Sequence, residues 1–124
     1  MKILGIGTDV IEIERIMKAG EKNPRFLDRI LTEKEKEYCF SSGSRYQSVA
    51  ARFAGKEAVA KALGCGFSKF SFQDIEILNN ESGKPEVILK IMALKIFEEL
   101  GAKEIHLSLS HSKKAATAFV IIQG

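Results

Sequence analysis

Long hydrophobic runs are missing from this 124-residue chain, and so is any strong excess of one charge. No segment approaches the roughly 18 consecutive apolar residues that a membrane span needs. The N-terminal MKILGIGTDVIEIER meets its first acid at Asp9 and lacks the apolar stretch of a secretory signal. A cytoplasmic protein with no membrane partner is therefore expected. The net charge of +3 is too mild to imply nucleic acid, yet it is compatible with an acidic partner. Cysteine is scarce: Cys39 and Cys65 form no metal-ligand spacing and read as reduced thiols. No H-E-x-x-H or paired-cysteine pattern occurs, which argues against zinc. GIGTDV has only two of the three glycines of a dinucleotide fingerprint, with Val10 in the third place, and no G-x-x-x-x-G-K-[ST] loop exists.

What is present reads as one compact α+β domain spanning residues 1–124. Apolar residues make up 45% of the chain and charged residues 28%, the balance of an ordered protein with a modest core. KILGIGTDV predicts a strand over about 2–10, and its Gly5 and Gly7 mark a bulge or a close approach by another group. IERIMKAG predicts a short helix closed by Gly20, and NPRFLDRIL a helical turn with Pro24 early. Thr32 and Glu35 carry the capping-box pattern, and Ser44 and Gln47 share its spacing. The longest helix runs through RFAGKEAVAKAL to Gly64, a C-terminal glycine stop. FSFQDIEIL predicts a strand before the turn NNESGKP, and EVILK a short strand or the entry to a helix after it. IMALKIFEELG predicts a helix with Met92, Ile96 and Leu100 on one face. EIHLSLSHS and ATAFVIIQ predict a closing hairpin.

Several residues could carry chemistry. Asp9 ends an apolar strand, either as a turn or capping residue or as a ligand for a hard cation such as magnesium. Glu57 and Lys61 lie four apart on one helix face. They are either an exposed ion pair worth about 0.3–0.5 kcal/mol or a metal carboxylate with a phosphate-binding ammonium one turn away. Ala50, Ala51, Ala54, Gly55, Ala58, Ala60 and Ala62 around them let another element or a bulky ligand approach closely. Arg45 and Arg52, seven apart, read as a solvated cationic stripe or as phosphate contacts. Strand alternation puts His106, Ser108 and Ser110 on one face and Leu107, Leu109 and His111 on the other. A histidine among leucines is a packed residue, a ligand-orienting group or a proton acceptor. Arg15, Lys18, Arg25 and Arg29, interleaved with Ile16, Met17, Phe26 and Ile30, form either the wet side of two helices or a landing surface for an acidic helix.

Four stretches, in order and at fitting distances, resemble the small 4′-phosphopantetheinyl transferases of the holo-acyl-carrier-protein synthase type: GIGTDVIEIERI, RFAGKEAVAKAL, FQDIEILNNESGKP and HLSLSHSKKAATAFVI. The second is similar to the pattern F-[AS]-x-K-E-A-x-x-K, with Gly55 and Lys56 filling its middle. The resemblance implies a mainly antiparallel sheet packed on a long helix. It also implies a homotrimer with active sites between subunits, and transfer of the 4′-phosphopantetheine arm of coenzyme A to a serine of apo acyl carrier protein in fatty acid biosynthesis. By the same resemblance Asp9 and Glu57 hold magnesium, Lys61 meets the coenzyme A phosphates, and Glu57, Lys61 and His111 are the catalytic candidates. Arg45, Arg52, Gly83, Pro85, Ser110 and His111 fall in regions that hold the nucleotide. Arg15, Lys18, Arg25, Phe26 and Arg29 fall on the docking surface for the acidic carrier. Two other readings remain open: a different metal-dependent enzyme that cleaves pyrophosphates, and a non-catalytic module that binds coenzyme A or an acidic protein.

Overall fold

Two glycines on the first strand set how the chain packs. The structure, a computed structural model, describes residues 1–41, 43 and 45–124. Strand β1 (Ile3–Glu12) leads into helices α1 (Ile13–Lys22), α2 (Pro24–Ile30), α3 (Glu33–Phe40) and α4 (Tyr46–Leu63). A hairpin of β2 (Ile75–Asn79) and β3 (Pro85–Leu89) follows. Helix α5 (Ile91–Glu99) and the strands β4 (Glu104–His111) and β5 (Ala115–Gln123) complete the chain. β1, β5 and β4 form an antiparallel sheet in that order, so β5 is central and β1 is an edge. β2 and β3 form a separate two-stranded sheet.

Helix α4 lies across the inner face of the three-stranded sheet. A Cβ placed on Gly7 would overlap the Ala58 carbonyl oxygen, and one on Gly5 would overlap that of Ala62. The helix therefore rests on bare strand backbone, which is the close approach that the glycine spacing predicts. Twelve of its eighteen residues are buried, half of them alanines, because the helix is enclosed by strands on one side and helices on the other. One core forms where Ala54, Val59 and Leu63 meet Ile75, Ile77, Val120 and Ile122. A second gathers Ile13, Ile16, Ile30, Leu31 and Val49 between α4 and the first three helices. Each fully buried aliphatic side chain contributes about 1.5–3 kcal/mol relative to an exposed one.

Beneath the second core lies an ionic knot. Lys56, with no exposure at all, donates from Nζ to Glu35 Oε1 at 2.6 Å, the Ile30 carbonyl at 2.7 Å and the Phe72 carbonyl at 3.1 Å. Glu35 Oε1 also accepts from the Thr32 backbone N–H, closing the predicted capping box, and Oε2 accepts from Ile77 N–H at 2.8 Å. Thr32 Oγ1 donates onward to Glu76. Burial draws the Lys56 ammonium below its ordinary value, and Glu35 partly opposes that.

Four local expectations need correcting or bounding. Gly20 does not end α1, which runs on to Lys22 and is capped by Asn23; a Cβ at Gly20 would meet the Tyr46 side chain, so packing accounts for this glycine. The strand predicted for FSFQDIEIL starts only at Ile75, because Phe72–Asp74 makes a 3-10 turn. On α5 the inward residues are Ala93, Ile96 and Phe97, whereas Met92 and Leu100 are exposed. The Ser44–Gln47 capping box involves Ser44, which lies outside the described residues.

Candidate active site

From α4, Lys61 reaches the main chain of the edge strand β1. Lys61 Nζ donates to the Thr8 carbonyl at 2.9 Å and to Asp9 Oδ1 at 3.2 Å. Of the two readings of Glu57 and Lys61, the ion pair along the helix is not formed; Lys61 pairs with Asp9. Asp9 sits on the inner face, in register with Ala118 of β5, and α4 brings Glu57 to the same edge. Burial raises the Glu57 pKa first and the charge of Asp9 raises it further, while Lys61 opposes both. Two carboxylates that feel each other, with one ammonium beside them, form a hard-oxygen set. This set fits magnesium, which takes one or two protein carboxylates and completes its shell with water and phosphate. Among the described residues no cluster of three or more His, Cys, Asp or Glu occurs, as two carboxylates alone would leave it.

Arg52 and Lys61 stand nine positions apart on α4, so at about 100° per residue they project from opposite sides of the helix. On the Arg52 side opens a cleft of about 810 Å³, whose walls include Arg45, Arg52, Asn79, Gly83, Pro85 and His111. Asp9, Glu57 and Lys61 do not border it. The expected solvated stripe of Arg45 and Arg52 is corrected: Arg45 is exposed, but Arg52 is 2% exposed because the β2–β3 hairpin folds over it. His111 is exposed and shares the inner face of β4 with Leu107 and Leu109, as the alternation predicts. Ser110 is exposed on the other face, opposite Thr117. Gly83 takes φ 87° in the hairpin turn, a left-handed conformation that suits glycine. Asn80 organises that turn, its Oδ1 accepting from Ser82 N at 2.9 Å and Lys84 N at 3.0 Å.

The basic residues Arg15, Lys18, Arg25 and Arg29 are all exposed. Lys18 pairs with Glu14 at 3.1 Å, an exposed pair that contributes little. Of the apolar residues between them, Ile16 and Ile30 are core rather than surface, each 3% exposed. Phe26 is half-buried against Phe53, their ring centroids 6.4 Å apart. Both cysteines are free, and burial pushes the Cys39 thiol pKa up. No helix among the described residues is long and apolar enough to cross a membrane.

Sequence reasoning missed Tyr38 and Asn79 on the cleft wall, and it missed the buried Lys56–Glu35 pair. A lysine amid buried alanines was the one available signal for that pair.

Comparison with known proteins identifies relatives of the whole chain. A family model described as the 4′-phosphopantetheinyl transferase superfamily matches residues 5–120. The chain is 46% identical over 126 residues to a holo-[acyl-carrier-protein] synthase of Clostridium perfringens, covering 98% of this chain and 95% of that one. The crystal structure of holo-[acyl-carrier-protein] synthase from Neisseria meningitidis superposes with a TM-score of 0.90 at 38% identity, covering 99% of this chain and 100% of that one. The Bacillus anthracis enzyme of the same name, in complex with CoA (3′,5′-ADP), matches at TM-score 0.80 and 44% identity over 97% of this chain and 96% of that one.

Proposed function

The chain belongs to the 4′-phosphopantetheinyl transferase superfamily, and from that premise we propose that it moves the 4′-phosphopantetheine arm of coenzyme A onto a serine of apo acyl carrier protein. Adenosine 3′,5′-bisphosphate is the second product. The reaction loads the carrier for fatty acid biosynthesis in the cytoplasm. The observation that carries the reading is the Asp9–Glu57–Lys61 set at the edge of β1, two interacting carboxylates with an ammonium 3.2 Å from one of them.

Asp9 and Glu57 are the residues that would hold magnesium. When bound, the ion polarises the pyrophosphate oxygens and fixes their geometry. Lys61, half-exposed and tethered among the described residues only to Asp9 and the Thr8 carbonyl, would turn toward the phosphate of the departing nucleotide and neutralise its growing charge. The serine oxygen attacks the phosphorus bearing the arm, and the bond to the nucleotide phosphate breaks. The serine proton would go to a water at the site, to Glu57, whose proton affinity burial raises, or to the imidazole of His111. The rest of the rate comes from positioning, with no covalent enzyme intermediate.

The nucleotide occupies the cleft lined by Arg45, Gly83, Pro85 and His111, while Ser110 lies on the other face of β4 and would meet it only from a neighbouring subunit. One protomer carries the cleft and the carboxylate pair on opposite sides of α4, so a complete site takes one half from each of two neighbours. This supports a homotrimer with active sites between subunits. So does the outer sheet face, where Ile3, Ile6, Val10 and Phe119 remain 46–64% exposed. Sedimentation analysis reads the trimer directly. Arg15, Lys18, Arg25 and Arg29, with Phe26 at their margin, receive the acidic carrier.

Incubating the protein with coenzyme A, apo carrier protein and magnesium tests the proposal. The carrier should gain the mass of the arm, a chelator should prevent the gain, and Glu57→Gln should lower the rate roughly a hundredfold or more while keeping the fold. Hydrolysis of coenzyme A with an unchanged carrier would instead indicate a pyrophosphate-cleaving enzyme, and binding without turnover a passive module.

A further inference from the structure

Helix α2 carries Arg25, Phe26 and Arg29 but has little of its own to hold it. It is seven residues long, and of these Ile30 is the one buried. A helix shorter than about 12–15 residues is marginal in water without tertiary contacts. The last carbonyls of a helix also lack partners within it. On α2 these carbonyls are where the rest of the protein takes hold. Gln73 Nε2 donates to the Asp28 carbonyl and to the Leu31 carbonyl, each at 2.6 Å. A carboxamide NH2 has two donors, and both are used. Lys56 Nζ donates to the Ile30 carbonyl between them at 2.7 Å.

Both donors are tied to the helix that bears Glu57. Lys56 precedes Glu57 on α4 and is fully buried. Its ammonium also holds the carbonyl of Phe72, the residue before Gln73. The Phe72 ring stacks on Phe53 of α4, with centroids 5.4 Å apart, and Phe53 meets Phe26 of α2. A clasp therefore runs from α4 through the Phe72–Asp74 turn to the end of α2. Neither Gln73 nor Lys56 lines the cleft.

We propose that Gln73, backed by Lys56, is a positioning residue for the carrier: it holds α2 in the orientation in which Arg25, Phe26 and Arg29 receive an acidic helix, at a fixed place relative to Glu57. It acts through α2 and not by contact with the carrier or coenzyme A. The proposal rests on reading α1 and α2 as the docking surface. Its structural part, the clasp, stands without a partner. Releasing the clasp lets α2 fray, and only the ordered fraction receives the carrier, so apparent affinity falls by that fraction. Saturating carrier restores the order, so the maximal rate holds.

Two measurements test it. Gln73→Met keeps the reach of the side chain and removes both donors. In the free protein, amide hydrogen exchange at Arg29, Ile30 and Leu31 should accelerate about tenfold or more, as loss of two hydrogen bonds implies. Buried amides of α4 should not change. In the transfer assay, the KM for apo carrier should rise about tenfold, while kcat, the KM for coenzyme A and the affinity for magnesium hold. A substitution that merely loosened the fold would lower kcat and leave each KM as it was. If Gln73→Met does not fold, Gln73→Ala supplies both readouts. Unchanged exchange at the end of α2 would overturn the proposal. So would faster exchange with an unchanged KM for the carrier, or a KM for coenzyme A that rises in step with it. A wild-type protein that never loads the carrier refutes the docking reading instead, and the exchange experiment then decides the clasp by itself.

Discussion

Replacing Lys56 with methionine should destabilise the protein severely although the side chain touches no solvent and the substitution nearly conserves volume. The ammonium satisfies Glu35 and two main-chain carbonyls at 2.6–3.1 Å. Its removal strands a fully buried carboxylate on two backbone N–H donors, those of Thr32 and Ile77. Breaking a buried pair from one side costs about 3–5 kcal/mol, against a total stability for such a domain of about 5–15 kcal/mol. The midpoint of thermal unfolding should therefore fall by something on the order of 10–20 °C at fixed protein concentration. The decisive comparison is with Lys56→Met combined with Glu35→Gln. The second change removes the stranded charge but keeps an acceptor for the N–H groups, so it should restore about 2 kcal/mol. Urea unfolding of the wild type, both single variants and the double variant closes the cycle. A loss below about 1 kcal/mol in Lys56→Met, or a double variant no more stable than that single one, would refute the reasoning.

Other outcomes follow from the same coordinates. Gly7→Ala should cost about 1–3 kcal/mol or shift α4 off the sheet, because its Cβ has only main chain to push against; circular dichroism melts and magnesium affinity should fall together. Glu57 has a folded-state pKa above its ordinary 4.5, so its contribution to stability is full below that value and is lost as pH rises through the folded pKa. Without divalent ions, stability should decline across that window, and Glu57→Gln should flatten the decline. Magnesium should stabilise only where Glu57 is ionised, which thermal melts against pH would register. Charge reversal at Arg15, Arg25 and Arg29 should raise the KM for the carrier, and added salt should blunt the wild-type rate. A salt-insensitive KM would contradict the docking assignment.

Local rules made the capping box at Thr32 and the stop at Gly64 legible in the sequence, since each depends on residues a few positions apart, and Gly5 and Gly7 marked a bulge or a close approach without naming α4 as the partner. Burial settled by distant segments stayed hidden. Arg52 looks like a surface residue until the hairpin 25 positions downstream closes over it. Lys56 finds Glu35 across 21 positions, and a helix rich in alanine gives no clue to which charge will be enclosed. The buried face of the helix at Ile91–Glu99 is set by its neighbours, which choose Ala93 over the Met92–Leu100 row. For the site, the sequence named Asp9, Glu57 and Lys61. It did not indicate that Lys61 would pair across to the strand rather than along its own helix, because that depends on the main chain of the edge strand it reaches.

A helix seated on naked peptide has no compressible cushion beneath it. The gap between Asp9 and Glu57 is consequently a ruler made of main chain, indifferent to which methyl groups fill the interior elsewhere. Repacking the distant aliphatic layers to raise heat resistance should leave the span between these two acids untouched, whereas a single carbon atom added at the contact would reset it.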